Sequence, residues 1–337
     1  MEVTNILSVE NDSTSYVNEF LQQSWIISQI FTSIHFIFCI WSAISFYKYG
    51  KRKGKWNKSK KNRQQHLLFT LVLFSPCATV FRITLTQTVI IVGLVIDKDE
   101  TGDSACGIVM NVSLAFYYVS DFPCYFFYWK RQRIFYSDPF LEKLNNRYTK
   151  VLSYSAILVL FFGSLLLVVL FINSRTHLMT DLSCVYAARS SKKMKFYAST
   201  VIGAAAQLTI FGLTAYPLRI YSKKSLEVNK LRKKGINEKK NQGLKQANIQ
   251  TTISMAISIL SDFLAMIVVA VILPKELPSH LSNSMYDLSL CVNIVTMMLS
   301  VEDYKENFIN NFCCWSMLHR LPDVPEKPKS NQKQVLE

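Results

Sequence analysis

Charged residues are scarce in this chain of 337 residues. Asp, Glu, Lys and Arg make up 18% of it, whereas roughly 25% is usual in a soluble globular domain. Ten glycines and nine prolines are too few for a fibrous or low-complexity chain, and eight cysteines are too few for a disulfide scaffold. Half of the residues are hydrophobic, including 22 phenylalanines and 16 tyrosines. This composition favours a membrane protein over two soluble domains.

Seven apolar stretches are separated by charged segments. A helix needs about 20 apolar residues to cross the ~30 Å hydrocarbon core of a bilayer. The stretches that suit this requirement are 25–47, 67–96, 107–129, 151–173, 196–221, 248–273 and 285–300. The sequence therefore predicts an all-α integral membrane protein with a bundle of seven transmembrane helices over residues 25–300.

The basic residues indicate the orientation of this bundle. Segments between the spans alternate between the two sides of the membrane, and 30 Lys and Arg fall on one side against seven on the other. Because cytoplasmic loops carry the excess of positive charge, residues 1–24 are expected to form an extracellular tail. The sequon at Asn11 in this tail predicts N-glycosylation. The net charge of +15 then lies mainly beside anionic membrane lipids, so nucleic acid is not needed to explain it.

A short amphipathic helix is predicted after the seventh span. Ser300 and the acidic residue three positions later have the spacing of a capping box, which marks the start of a helix. Apolar residues then recur at helical spacing, which favours a helix over 301–315 on the inner membrane surface. A short cytoplasmic tail over 316–337 follows, and Cys313 and Cys314 before it are candidate palmitoylation sites. An incidental tail of basic and apolar residues is the alternative.

Two cysteines are predicted on the outer side of the membrane. Cys106 opens the third span, and Cys184 lies in the middle of the second outer loop. A disulfide can form and persist on this oxidising side, although the two could also be unrelated free thiols. The cysteines within spans are interpreted as small buried hydrophobic residues, namely Cys39, Cys77, Cys124 and Cys291.

The chain resembles the rhodopsin-like family of G-protein-coupled receptors over nearly its whole length. The family has an arginine 25 residues after a cysteine at the start of helix 3, and Arg131 stands at that distance from Cys106. Lys130-Arg131-Gln132 occupies the place of the family's Asp/Glu-Arg-Tyr. Tyr216 matches the family's tyrosine near the inner end of helix 5.

The seventh span carries a second resemblance to this family. Its segment Val-Asn-Ile-Val-Thr-Met aligns with the family's Val-Asn-Pro-x-x-Tyr and retains the asparagine as Asn293. Ile294 and Met297 replace the proline and the tyrosine. In span six, Leu-Ser-Asp-Phe, which ends at Phe263, stands where the family has Cys-Trp-x-Pro.

The resemblance implies a receptor of the plasma membrane that binds an extracellular ligand and activates a heterotrimeric G protein. It implies a disulfide between Cys106 and Cys184. It also implies coupling residues, namely Arg131, Gln132, Tyr216 and Asn293. Two ligand classes are disfavoured, because Asp287 stands at the retinal lysine of opsins and Ser113 at the aspartate of aminergic receptors.

Four ionisable residues lie within the spans, where a charge costs about 2.5–3.5 kcal/mol on insertion scales and therefore needs a partner or a role. They are Arg82, Asp121, Asp262 and Asp287. Arg82 and Asp287 lie toward the outer ends of spans two and seven, which adjoin in a rhodopsin-like bundle, so we predict an ion pair between them. The pair is either structural or a ligand anchor. With Ser113 it forms the predicted ligand pocket.

A transporter or an ion or proton channel is the main alternative to a receptor. In that reading the charged residues of the spans form a relay, namely Arg82, Asp121, Asp262 and Asp287. Against it, the spans show no obvious inverted repeat and few helices broken by Gly or Pro. An enzyme is not predicted, because the five histidines are scattered and no Ser-His-Asp or HExxH arrangement occurs. The sequence likewise predicts no metal site and no cofactor.

Overall fold

A computed structural model describes residues 3–54, 63–93, 100–137, 144–179, 184–188, 201–217, 238–268 and 279–301, together with Tyr304 and Phe308. Within this part, seven helices follow one another along the chain. They are α1 (Val3–Arg52), α2 (Arg63–Gly93), α3 (Glu100–Tyr136), α4 (Arg147–Ser174), α5 (Val201–Pro217), α6 (Glu238–Ile267) and α7 (Ser279–Leu299). An antiparallel hairpin lies between α4 and α5. It consists of β1 (Arg175–Met179) and β2 (Cys184–Ala188).

Four of the described helices are long and apolar enough to cross a membrane. The spans are Gln22–Arg52 in α1, Gln64–Thr88 in α2, Arg147–Leu170 in α4 and Gln246–Ile267 in α6. Helix α5 is apolar but shorter over its described length. The predicted helical, membrane-type architecture is therefore confirmed at this coarser level.

Helices α3 and α7 contain no described stretch as apolar as these four spans, and most of their described large apolar side chains face the interior of the bundle. Helix α3 contacts α2, α4, α6 and α7, which places it at the centre. On α3, the exposed large apolar side chains among those described are Ile108 and Val119. On α7, the exposed large apolar side chain among those described is Leu288. Helices α1, α4 and α6 instead expose rows of such residues, as Ile34 and Phe162 illustrate. An apolar exterior around polar inner helices is the arrangement that a lipid environment favours.

Several helices extend beyond the predicted spans, because hydropathy detects only the part that is apolar. Helix α1 begins at Val3 and so includes most of the predicted tail 1–24. The side chain of Asn11 lies outside the described residues. Helix α3 continues to Tyr136, so the segment around Arg131 is helical. The segment between α4 and α5, predicted as the second outer loop, contains the β-hairpin, and both of its strands contact α3.

The chain after α7 packs against α1. The Tyr304 side chain is fully buried, and its hydroxyl donates a hydrogen bond to Oγ of Ser45 at 3.1 Å. Its ring centroid lies 5.0 Å from those of Phe46 and Tyr49. Phe308 continues this contact, since its ring lies 5.6 Å from that of Trp41.

The predicted amphipathic helix over 301–315 is described only in part. Val301, Tyr304 and Phe308 turn their side chains toward the helix bundle, whereas the rest of the segment, including Cys313 and Cys314, lies outside the described residues. The Ser300 hydroxyl donates to the carbonyl of Thr296 at 2.8 Å, so it hydrogen-bonds back into α7. The helix and its palmitoylation stay predictions.

Two substitutions at Tyr304 should separate its packing from its hydrogen bond. Tyr304→Ala removes a ring that is buried among Phe46 and Tyr49 and should destabilise the protein by about 3–5 kcal/mol. Tyr304→Phe keeps the ring and loses only the bond to Ser45, which is worth about 1 kcal/mol. The apparent melting temperature of the detergent-solubilised protein measures both. Equal losses for the two variants would contradict the packing described here.

Candidate functional site

The carboxylate of Asp262 on α6 joins four helices inside the bundle. It accepts hydrogen bonds from the Tyr125 hydroxyl of α3 and from the Ser289 hydroxyl of α7. The side-chain amide nitrogens of Gln207 on α5, at 3.4 Å, and of Asn293 on α7, at 3.0 Å, also donate to it. One side chain therefore holds α6 to α3, α5 and α7 at once.

Asn293 connects Asp262 to a second carboxylate. Its Nδ2 donates to Asp121 of α3 at 2.8 Å as well as to Asp262, and its carbonyl oxygen accepts from the Ser258 hydroxyl of α6. Asn293 is fully buried. We call this group the Asp262 cluster, and its members are Asp121, Tyr125, Gln207, Ser258, Asp262, Ser289 and Asn293.

Helical periodicity explains how the sequence builds this cluster. Asp121, Asp262 and Asn293 are predicted from the sequence as notable residues, and the other four members are not. Three of the missed residues lie four positions from one already named, and residues at that spacing share a helix face. The pairs are Asp121 with Tyr125, Ser258 with Asp262, and Ser289 with Asn293. The fourth missed member, Gln207, could have been recognised because its side-chain amide lies inside an apolar stretch.

A cavity of about 140 Å³ opens beside the Asp262 cluster, between α3, α4, α5, α6 and α7. Four members of the cluster line it, namely Asp121, Tyr125, Gln207 and Asp262. Aromatic side chains form much of the remaining wall, among them Tyr117, Tyr118, Phe122, Phe263 and Tyr286. Within the described part of the chain, neither carboxylate is in an ion pair. An acidic and aromatic wall can attract a positively charged group and accept its hydrogen bonds.

The structure pairs Arg82 with Asp287, as the sequence predicts. The guanidinium of Arg82 donates to the carboxylate of Asp287, and the two side chains are 3% and 6% exposed. The ring of Tyr117 lies 5.6 Å from the guanidinium carbon, and His35 Nδ1 lies 3.9 Å from the same carboxylate. The two charges neutralise each other in the interior, while a role as ligand anchor stays a prediction.

Ser113 lies close to this pair but faces α2. It is 2% exposed, and its hydroxyl is 2.9 Å from that of Thr86. Thr86 in turn donates to the backbone carbonyl of Arg82 at 3.0 Å. Among the described residues, the wall of the central cavity includes none of the three ligand-pocket candidates Arg82, Ser113 and Asp287.

The four residues that the resemblance assigns to G-protein coupling have different surroundings in the structure. Arg131 is 8% exposed and lies over the ring of Phe127, at 5.9 Å from its centroid. Gln132 is buried toward α4, where its carbonyl oxygen accepts from a hydroxyl at 3.0 Å. Tyr216 is half-exposed on α5, and Asn293 belongs to the Asp262 cluster.

Two further contacts at this end of α3 were not predicted. The Ser153 hydroxyl of α4 donates to Gln132 and accepts from the indole of Trp129 at 3.0 Å. The Tyr136 hydroxyl donates to the carbonyl of Leu213 on α5 at 2.9 Å. Burial raises the pKa of Tyr136 to about 12, so the donating proton is retained at neutral pH.

Cys106 is buried and disulfide-bonded. The four other cysteines whose side chains are described are free. Cys39 and Cys124 are buried as predicted, whereas Cys291 is only partly buried and Cys77 is exposed, so the prediction of burial is wrong for Cys77. Cys184 begins β2, and β2 contacts α3, the helix that carries Cys106. The side chain of Cys184 lies outside the described residues, so its pairing with Cys106 stays a prediction.

The comparisons with known proteins leave the chain without an assigned family. No protein-family model matches it, and no curated protein matches it. In the part of the chain that the structure describes, no group of three or more His, Cys, Asp or Glu side chains could hold a metal ion. The features of the molecule that bear on its function are therefore the cavity, the Asp262 cluster and the sequence itself.

Proposed function

We propose that this chain is a seven-helix receptor of the plasma membrane that passes the signal of an extracellular ligand to a heterotrimeric G protein. All seven helices span the membrane in this proposal, with the N-terminus outside and the C-terminus inside. The excess of Lys and Arg in alternate loops supports that orientation. The apolar exterior of α1, α4 and α6 around the polar inner helices supports the bundle. The Cys106–Cys184 disulfide and the amphipathic helix over 301–315 belong to the same proposal.

One observation carries the proposal: the same side chains line the cavity and hold α6 in place. Tyr125, Gln207 and Asp262 line the cavity, and the first two donate to Asp262 from α3 and α5. A ligand that donates a hydrogen bond to Asp262 therefore competes with these bonds. If it binds better to an arrangement in which α6 has moved, it shifts the population toward that arrangement.

The movement of α6 would reach the cytoplasmic end through the helix itself. There the Gln250 side chain of α6 donates to the carbonyl of Leu299 at the end of α7. Arg131 on α3 is almost fully buried in the described arrangement. A G protein can contact its guanidinium only after the inner helix ends separate, so exposure of Arg131 would report the active arrangement.

Signalling of the unliganded receptor tests this proposal. The full chain, tagged at its N-terminus, is expressed with a reporter for a promiscuous G protein, and surface density is measured in parallel. We expect signalling above that of cells without the receptor. In the rhodopsin-like family that this chain resembles, an acidic neighbour restrains the arginine that Arg131 matches, and Lys130 replaces that neighbour here. Arg131→Ala should lower the signal by about tenfold, a loss of ~1.4 kcal/mol in coupling, at normal surface density.

Lys130→Ala is the matched control, since it removes a neighbouring positive charge. It should leave the coupling of Arg131 intact and keep the signal within about twofold of the wild-type level. Absence of any signal at high surface density, with and without a broad panel of ligands, would refute the proposal. An equal loss in both variants would show that only the charge of this segment matters.

Ion or proton transport is a second candidate. It is favoured by the partly buried carboxylates of Asp121 and Asp262, which line the cavity and have no ion-pair partner among the described residues. It predicts a flux across vesicles that contain the purified protein. The flux should follow the imposed proton or cation gradient and disappear in Asp121→Asn and Asp262→Asn. The receptor proposal predicts vesicles that are no leakier than empty ones.

A further inference from the structure

A second cavity lies between α1 and α7, away from the Asp262 cluster. Its volume is about 400 Å³, within the ~300–1,000 Å³ that is usual for small-molecule sites. Most of its wall is apolar and includes Phe31, Phe38 and Trp41 of α1 and Leu288 of α7. The body of a ligand that fills it must therefore be apolar.

The cavity opens on the outer surface of the helix bundle. Phe31, Ile34 and Ile37 line it and are 52%, 59% and 62% exposed, and Leu288 on the other side is 50% exposed. These residues lie within the spans predicted for α1 and α7, so the opening faces the hydrocarbon core of the membrane. A ligand would enter from the lipid phase.

The inner wall of the cavity contains an imidazole without a hydrogen-bond partner. His35 is 6% exposed, and neither of its ring nitrogens forms a hydrogen bond with any residue that the structure describes. The nearest carboxylate oxygen, on Asp287, is 3.9 Å from Nδ1, which is too far for a hydrogen bond, and it accepts from Arg82 instead. The Ser284 hydroxyl, also in the wall, pairs with that of Ser28 at 2.6 Å.

We propose that this cavity binds a lipid alcohol, that is, a largely apolar molecule with a single hydroxyl group that hydrogen-bonds to His35. Buried polar side chains almost always have a partner, and the bound hydroxyl would supply it. A hydroxyl group both donates and accepts, so it can pair with either ring nitrogen. The proposal concerns a site separate from the central cavity and does not depend on the receptor function.

The surroundings of His35 exclude other polar groups on the ligand. A carboxylate would be repelled by Asp287, which already lies 3.9 Å from the imidazole. A charged phospholipid headgroup would have to leave the membrane surface, because His35 lies near the middle of the span Gln22–Arg52. A single neutral hydroxyl is small enough to reach this depth. Two sources share this chemistry, namely sterols and long-chain alcohols.

Photolabelling of the purified full chain in lipid nanodiscs tests the proposal and separates the two sources. One probe is a photoreactive sterol with a free hydroxyl, and the other is a photoreactive long-chain primary alcohol. We expect saturable labelling of α1 or α7 by at least one probe, located by mass spectrometry of the adduct. The unlabelled alcohol should compete about tenfold better than the same hydrocarbon without its hydroxyl, as one hydrogen bond implies. Equal competition, or no saturable labelling by either probe, would overturn the proposal.

Three variants locate the site. His35→Phe keeps a ring of similar shape and should remove the preference for the hydroxyl, so that alcohol and hydrocarbon compete equally. Leu288→Trp fills the cavity and should abolish labelling by both probes. Ile253→Trp on α6 is the matched control, because Ile253 is 55% exposed on the apolar exterior and does not line this cavity. Labelling that persists in Leu288→Trp, or that Ile253→Trp lowers equally, would show that the lipid alcohol binds elsewhere.

Discussion

Replacing either Arg82 or Asp287 by alanine should destabilise the protein by about 3–5 kcal/mol. Each substitution leaves the opposite charge buried without its partner, since the two side chains are 3% and 6% exposed. In Asp287→Ala the guanidinium keeps its contact with the Tyr117 ring but has no carboxylate partner among the described residues. Surface expression and the apparent melting temperature of the solubilised protein measure the effect.

Exchange of the two charges tests whether the contact itself matters. Arg82→Asp combined with Asp287→Arg should recover much of the lost expression, because an ion pair forms again with reversed polarity. Arg147→Ala is the control, because this arginine is exposed at the start of α4 and its loss should cost less than ~0.5 kcal/mol. If the exchanged protein also signals, the pair is structural. Recovery of expression without a ligand response identifies the pair as a ligand anchor, and an exchange that folds no better than the single variants would disprove the pairing.

Substitution of Asp262 by alanine should both destabilise the bundle and raise basal signalling. The variant loses the acceptor for hydrogen bonds from Tyr125, Gln207, Ser289 and Asn293, and each such bond contributes about 0.5–1.5 kcal/mol net. We expect a loss of about 3 kcal/mol or more in stability. Release of α6 should also raise G-protein signalling per surface receptor severalfold. Such a change corresponds to a shift of about 1 kcal/mol in the equilibrium between the arrangement in which α6 is held and the one in which it has moved.

Asp121→Ala is the matched control for this prediction. Asp121 lines the same cavity, but its described hydrogen bond is the one from Asn293 at 2.8 Å. Its loss should therefore cost less stability and leave α6 held by Asp262. Equal effects of the two substitutions on melting temperature and basal signal would mean that Asp262 is not the residue that fastens α6.

Hydropathy and charge in the sequence were sufficient to predict a helical membrane chain, because a bilayer imposes its thickness on any helix that crosses it. The pairing of Arg82 with Asp287 was also predictable, since two opposite charges in apolar stretches at similar depth stabilise each other. The positions of α3 and α7 could not be judged by apolarity alone. Their polar residues lower the hydropathy and point inward, which becomes visible only when the neighbouring helices are in place.

The contacts within the Asp262 cluster could not be predicted from the sequence. Asp121, Asp262 and Asn293 were noticed because a charge or an amide is unusual in an apolar stretch. Their convergence depends on the rotation of α3, α6 and α7 about their own axes, which packing sets and local sequence does not. The sequence by itself determined which segments are apolar, how positive charge alternates between the segments that separate them and which polar residues are costly to bury in a membrane. Only the tertiary structure decided that Asp262 accepts from three neighbouring helices and that His35 faces an apolar cavity, because both depend on contacts between residues far apart in the chain.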